Sequence, residues 1–297
     1  MRKFYFHFIS FFILAMYLAS CGEKSIEKKA GPETEVIDST KSQIINVSGE
    51  LFSIPSPIQT ALLIKNSENT YYEEILSDPT LSKEYPTAIK KAMNLGIYGT
   101  DMAYTSLYDD GQMALRYFKA IENTAQELDI TSAINPKLVK RLGANADNPD
   151  SLMYLSGKFY EEADIYLKKN DRVDIASLIL LGGWIEGNYL TAKAAAGENV
   201  AAKKRLSEQG QSCEVLLEVL DKTMDENFLD GDIYKNLDSL NQTFSEIVHT
   251  YSYTKPETIV EEKRTIIRSS SEYDASQEVM DRLVYLLDQT RQKITEL

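Results

Sequence analysis

The sequence has 297 residues, of which 43% are apolar and 26% charged, and its formal net charge at pH 7 is −13. This composition excludes collagen-like chains, disulfide scaffolds and fully disordered chains. Because an acidic chain lacks the basic surface that releases counterions from phosphates, we expect no nucleic acid partner.

Residues 1–20 have the layout of an export signal peptide. Arg2 and Lys3 precede an apolar run over residues 4–17, which is shorter than the ~20 residues that a membrane-spanning helix needs. The sequence LASCG at residues 18–22 resembles the lipobox of bacterial lipoproteins. The resemblance implies that Cys21 becomes the first residue and is acylated, with diacylglycerol on its sulfur and a fatty acid such as palmitate on its amine.

We therefore expect a lipoprotein that is exported and bound to the lipid bilayer of a bacterial membrane, and the membrane we expect is the outer membrane of the cell envelope. Each buried methylene contributes about 0.8 kcal/mol, so three acyl chains anchor a protein almost permanently. Whether the body faces the periplasm or the cell surface stays open. The alternative is an ordinary cleaved signal peptide followed by an incidental cysteine.

Cleavage before Cys21 leaves little scope for histidine or cysteine chemistry. It removes two of the 32 basic residues and none of the 45 acidic ones, which changes the formal charge from −13 to −15. One histidine, His249, and one internal cysteine, Cys213, remain. We interpret His249 as a helix-end residue and Cys213 as a packed, unreactive thiol. No metal site or cofactor is predicted, since a zinc site built on histidines needs more than one imidazole.

The remaining chain divides into a tether and a body. Residues 21–50 are rich in Glu, Lys, Ser and Thr without a regular apolar period, so we predict a flexible, disordered tether. Residues 51–297 form one predicted helical domain, with a possible boundary between two sub-bundles near residue 146. The alternative for the end of the tether is a strand or lid formed by Ile44, Ile45, Val47 and Leu51.

Helical periodicity dominates the body. Apolar residues recur with the 3.6-residue period over residues 152–169, 171–196, 199–224, 233–251 and 275–294. Asn135–Pro136 and Asn148–Pro149 are typical of helix starts, as is Ser56–Pro57. Residues 257–268 allow a short strand or an irregular crossing. We therefore predict an all-α fold of about nine helices, either a multi-helix bundle or an irregular α-α array.

The first segment that could carry function is NLGIYGTD at residues 94–101. Gly96 and Gly99 each cost about 1 kcal/mol relative to alanine in a helix, so another helix or a ligand must approach the backbone there. Asp101 follows directly, and seven of the sixteen tyrosines after residue 20 lie between residues 71 and 117. Tyrosines suit a binding groove or partner surface, and the candidates are Tyr98, Tyr104 and Tyr108. The alternative is the edge of an amphipathic core, with the tyrosine hydroxyl groups reaching water.

The second segment is GGWIE at residues 182–186, which ends an uncharged run in a predicted central helix. Trp184, the only tryptophan, is a further binding candidate. A carboxylate at Glu186 would be buried and must be hydrogen-bonded, paired or protonated. Its candidate partners are Arg172, Arg116, Lys158 or the tyrosines. Glu186 either contributes to a polar network that fixes the helix register or acts as an acid–base or ligand-contacting group facing Asp101.

These two motifs, NLGIYGTD and GGWIE, together with the lipobox, resemble a group of uncharacterised helical lipoproteins of Gram-negative bacteria. The resemblance covers residues 55–297 and implies a defined helical domain. It implies no activity, cofactor or catalytic residue.

Three functions remain open. The favoured one is a membrane-anchored binding module whose partner is an envelope protein or a small ligand. The second is a hydrolase acting on glycans, with Asp101 and Glu186 as acid and base, because paired carboxylates suffice for glycoside cleavage. The third is a purely structural component of the envelope. The scarcity of catalytic side chains makes us favour a protein that is not an enzyme.

Overall fold

Helices dominate the part of the chain that the structure, a computed structural model, describes: residues 43–47, 50–54, 62, 64–65, 70–145, 148–195, 199–259 and 264–297. These residues belong to one compact unit, Asp38–Leu297. The all-α prediction is confirmed. Within the described ranges the ten α-helices are α1 (Ala88–Leu107), α2 (Gly111–Glu127), α3 (Pro136–Ala144), α4 (Pro149–Lys169), α5 (Val173–Ala195), α6 (Val200–Ser207), α7 (Gly210–Thr223), α8 (Glu226–Leu229), α9 (Asp232–Ser245) and α10 (Gln277–Thr295).

The predicted starts of α3 and α4 are confirmed by their capping geometry. The Asn135 side chain accepts a hydrogen bond from the Lys137 amide at 3.0 Å, and Pro136 occupies the first turn. Asn148 caps α4 by accepting a hydrogen bond from the Ser151 amide at 2.9 Å, and Pro149 occupies the first turn. An asparagine cap satisfies an amide that the helix leaves unpaired, while proline has no amide to leave unpaired.

Helices α1 and α5 form the centre of the body. Every residue of α1 from 92 to 107 is buried, and so is every residue of α5 from 181 to 192. A helix that is buried on all sides carries apolar residues around its whole circumference. Helices α2, α4 and α10 pack around this central pair.

Glycines allow the backbones of α1 and α5 to touch. A Cβ atom on Gly96 would lie 2.0 Å from the Ile179 carbonyl oxygen, and one on Gly182 would lie 1.9 Å from the Met93 carbonyl oxygen. Thr100 adds a hydrogen bond to the Gly183 carbonyl at 3.3 Å. The close approach predicted at Gly96 is therefore made by another helix.

The structure differs from the predicted helices in two places. The predicted helix over residues 199–224 is two helices, α6 and α7, which are separated by a turn at residues 208–209. The predicted helix over residues 233–251 ends at Ser245, and a strand begins at Val248. His249 therefore lies in a strand and not at a helix end, because β-branched and aromatic residues after Ser245 favour extended backbone.

That strand belongs to a two-stranded β-ribbon between α9 and α10. β3 (Val248–Ser252) pairs antiparallel with β6 (Ser270–Asp274), and β4 (Glu257–Ile259) pairs antiparallel with β5 (Arg264–Ile266). We call residues 248–259 and 264–274 the ribbon. The short strand predicted within residues 257–268 corresponds to β4 and β5.

The start of the described chain holds a second hairpin. β1 (Gln43–Val47) pairs antiparallel with β2 (Glu50–Ile54), which matches the strand alternative for the end of the predicted tether. The tether between residues 21 and 42, the helix start at Ser56–Pro57 and the possible boundary at residue 146 lie outside the described residues.

We predict that Gly182→Ala destabilises the protein by about 3 kcal/mol, because the added methyl group collides with backbone atoms of α1 that cannot move independently. Gly143→Ala in α3 is the matched control. Nothing lies within 4 Å of its added Cβ, so helix propensity should stabilise that variant by up to about 1 kcal/mol. Urea unfolding measures both changes. Equal effects of the two substitutions would contradict the close backbone contact.

Candidate functional site

The two carboxylates singled out in the sequence lie in the interior beside one arginine. Glu186 is fully buried and pairs with Arg291 of α10 in a two-pronged contact, with Arg291 Nε 2.6 Å from Oε2 and Nη2 3.0 Å from Oε1. Burial is the largest single influence and lowers the pKa of Arg291, but the charge and hydrogen bond of Glu186, together with smaller contributions from Asp101 and Tyr189, raise it overall. We call Asp101, Glu186 and Arg291 the charged cluster.

Asp101 is also fully buried and is bound differently. Its Oδ2 accepts hydrogen bonds from the Ser77 amide at 3.1 Å and from the Ser77 hydroxyl. Its Oδ1 is buried and has no hydrogen-bond partner among the described residues. Burial, and then the negative charge of Glu186, raise the pKa of Asp101 well above its ordinary value of 3.8. Asp101 is therefore the group of the cluster that favours the neutral form.

The cluster fixes residues 71–78, here called the crossing segment, which pass over α1 and α2. Side chains of the helices bind its backbone at successive positions. Two of them accept hydrogen bonds from amides: Tyr104 Oη from Tyr72, and Asp101 from Ser77. Three donate to carbonyl groups: Arg291 to Ile75, Tyr117 to Ser77, and Tyr98 to Asp78. Buried backbone groups need such partners. The buried polar side chains of the body therefore bind the backbone of the crossing segment.

The predicted binding tyrosines are mostly interior residues. Tyr98 and Tyr104 are buried, and Tyr108 is half-buried against the Tyr104 ring at a centroid distance of 4.8 Å. Burial, the largest effect, raises the pKa of Tyr98 and of Tyr117. These phenols lie in the core, as the alternative of a core edge expects. Their hydroxyl groups bind backbone groups of the crossing segment, however, where that alternative expected them to reach water.

Trp184 and Cys213 are interior residues as well. Trp184 is 5% exposed and meets the Phe244 ring edge-on at a centroid distance of 6.5 Å. Cys213 is a buried free thiol with Sγ 3.8 Å from the Leu237 carbonyl oxygen, and burial raises its pKa. A thiol that resists ionisation is unreactive, as predicted for Cys213.

The geometry of the charged cluster does not suit glycoside cleavage. In that reaction both carboxyl groups flank the substrate, whereas Asp101 and Glu186 are each 0% exposed and in contact with protein groups. A two-pronged arginine contact holds both oxygens of Glu186. The arrangement is that of a buried polar network that fixes the positions of α1, α5 and α10.

Sequence reasoning did not name Arg291 as the partner of Glu186. None of the predicted partners of Glu186 pairs with it. Arg291 follows Leu287 by four residues and precedes Ile294 by three, and both of these leucine and isoleucine side chains are fully buried. A basic residue on the buried face of an amphipathic helix needs an acidic partner in the interior. This position in the sequence was the signal that could have identified Arg291 as the partner of a buried acid.

The exposed apolar residues concentrate on the ribbon. Four of the eight large apolar side chains that are well exposed among the described residues lie there: Val248 at 62%, Tyr251 at 59%, Tyr253 at 69% and Ile267 at 71%. On one face of the ribbon, His249 stacks on Tyr273 with a centroid distance of 4.5 Å and an interplanar angle of 13°. Tyr251 lies on the same face as His249, because side chains two residues apart in a strand point to the same side.

A surface groove of about 400 Å³ lies between α5, α6 and α10, near the end of β6, and Lys193, Lys203, Met280, Asp281, Tyr285 and Asp288 are among its lining residues. Lys193 pairs with Asp288 at 3.1 Å in a half-exposed ion pair at the surface. Exposed pairs contribute little free energy. No member of the charged cluster lines this groove.

Among the described residues, no three His, Cys, Asp or Glu side chains are grouped as metal ligands would be, and no helix has the length and apolarity of a membrane span. Comparison with known proteins finds no matching family model, no similar curated protein and no similar solved structure. The resemblance to helical lipoproteins therefore stays a prediction.

We predict that Asp101→Asn changes the pH dependence of stability. A carboxyl group whose pKa is higher in the folded state stabilises the fold when protonated, so its contribution is present below pH 3.8 and is lost as pH rises towards the folded-state pKa. Over that range the asparagine variant should gain up to about 1.4 kcal/mol per pH unit relative to wild type. Urea unfolding between pH 4.5 and 8 tests this. A constant difference across the range would contradict a neutral Asp101.

Proposed function

We propose that the protein is a lipoprotein of the bacterial cell envelope, anchored through acylated Cys21, whose helical body presents the ribbon as an interaction surface for another protein. The anchor is supported by the signal layout of residues 1–20 and the lipobox-like residues 18–22. The binding role rests on one observation, the four exposed apolar side chains of the ribbon.

The interior of the body supports a binding role over a catalytic one. The buried acids Asp101 and Glu186 contact the chain itself, and the tyrosines around them bind the crossing segment. The single imidazole among the described residues, His249, lies on the exposed ribbon beside Tyr273. A rigid helical body that carries an exposed aromatic strand pair is typical of a protein that presents a recognition surface, since aromatic residues are enriched where proteins bind one another.

We expect a photo-crosslinking amino acid in place of Tyr251 to capture a protein partner when the full-length chain is produced in bacterial cells and irradiated. The same residue in place of Ile165 on α4, which is 45% exposed, is the matched control and should give no adduct.

In the same cells an alkyne analogue of palmitate should label the chain, and Cys21→Ala should abolish that label.

Two results would contradict the proposal. Adducts of the same pattern from both positions would show that the ribbon is no more engaged than any exposed site. Undiminished palmitate labelling of Cys21→Ala would remove the anchor.

A further inference from the structure

The outer edge of β3 is available to another strand. All five residues of β3 are exposed, and among the described residues β3 pairs only with β6. In an antiparallel pair every second residue of a strand directs its N–H and C=O groups away from its partner. β3 therefore presents a row of backbone groups that can accept a further strand.

The two edges of the ribbon differ in charge. No charged residue lies between Ile247 and Thr254, whereas β6 carries Glu272 and Asp274. Natural proteins protect exposed strand edges with charged residues, proline or a covering element. The β6 edge has this protection and the β3 edge lacks it, which is expected of an edge that is covered in the working protein.

We propose that β3 pairs antiparallel with β3 of a second copy of this chain, around a two-fold axis at Thr250, to form a four-stranded sheet in the order β6-β3-β3′-β6′. This rests on the proposed function, in that it names the partner of the ribbon. A two-stranded ribbon alone is marginally stable in water, and three or more strands with an apolar face are needed for independent stability.

The residues of β3 are complementary to a second β3 in this register. Thr250 meets its own copy, His249 meets the copy of Tyr251, and Val248 meets the copy of Ser252. Paired threonines and paired aromatic rings stabilise antiparallel neighbours. Self-pairing of β6 about its centre would instead place Glu272 against its own copy, and opposed like charges are destabilising.

The pairing also gathers the aromatic residues of both copies on one face. Directly opposed residues of an antiparallel pair share a face, so His249, Tyr251 and Tyr273 of one copy continue into the same residues of the second. The formal charge of −15 on each chain after cleavage before Cys21 opposes association only at short range, because exposed charges are screened beyond about 8 Å at physiological ionic strength.

Disulfide cross-linking tests the register. We expect Thr250→Cys in the full-length chain, oxidised in intact bacterial cells, to give a covalent dimer of twice the chain mass on a non-reducing gel. Opposed residues of an antiparallel pair have Cα atoms about 4.5–5.5 Å apart, which suits a disulfide. Glu272→Cys is the matched control on the same rung of the ribbon, since Thr250 pairs with Glu272. In the proposed sheet the two copies of residue 272 are three strand spacings, about 14 Å, apart.

The proposal requires a dimer yield for Thr250→Cys several-fold above that of Glu272→Cys. It must also exceed the yield from wild type, which carries only the native cysteines. Thr250→Lys, which opposes two ammonium groups at the axis, should lower dimer content in sedimentation velocity. Equal yields, or no dimer from Thr250→Cys, would overturn the second copy as partner. A Thr250→Cys adduct with a protein of different mass would also overturn it, while leaving the interaction surface intact. The Tyr251 photo-crosslink reports separately on that surface.

Discussion

The backbone contact between α1 and α5 is the constraint on which the rest of the body depends. Only glycine lets carbonyl groups of one helix approach the Cα atoms of the other as closely as they do at Gly96 and Gly182. Each glycine lies within five residues of a carboxylate, Asp101 on α1 and Glu186 on α5. Close packing of the two helices therefore carries both acids into the interior, where each needs hydrogen-bonding or charged partners.

The partners of the two acids come from a third helix, α10, and from the crossing segment, which precedes α1. Arg291 of α10 binds both oxygens of Glu186 and also donates to the Ile75 carbonyl, so one guanidinium links α5, α10 and the crossing segment. Ser77 binds Asp101 from that same segment. A buried ion pair is weak support for stability as such, but loss of one partner is strongly destabilising. The cluster thus selects one arrangement of these elements.

Features that depend on neighbouring residues in the sequence were predicted correctly from local patterns. The capped starts at Asn135 and Asn148, the long central helix around Trp184 and the burial of Glu186 follow from spacing and composition. The partner of Glu186 could not be named, because Arg291 is 105 residues away and only the packing of α10 on α5 brings them together. A helical pattern that ran through residues 233–251 concealed β3, where strand propensity after Ser245 outweighs the apolar period.

The interior uses charged groups to hold the fold, and the ribbon carries the exposed apolar side chains that we propose for recognition. The most direct test of the role of the interior is the coupling between Glu186 and Arg291, measured by urea unfolding of Glu186→Leu, Arg291→Met and the double variant. Each single substitution leaves a buried charge without its partner and should cost about 3–5 kcal/mol, and the double variant should lose less than either. Single variants as stable as wild type would contradict the account, since Glu186 would then be free for a role other than holding the fold.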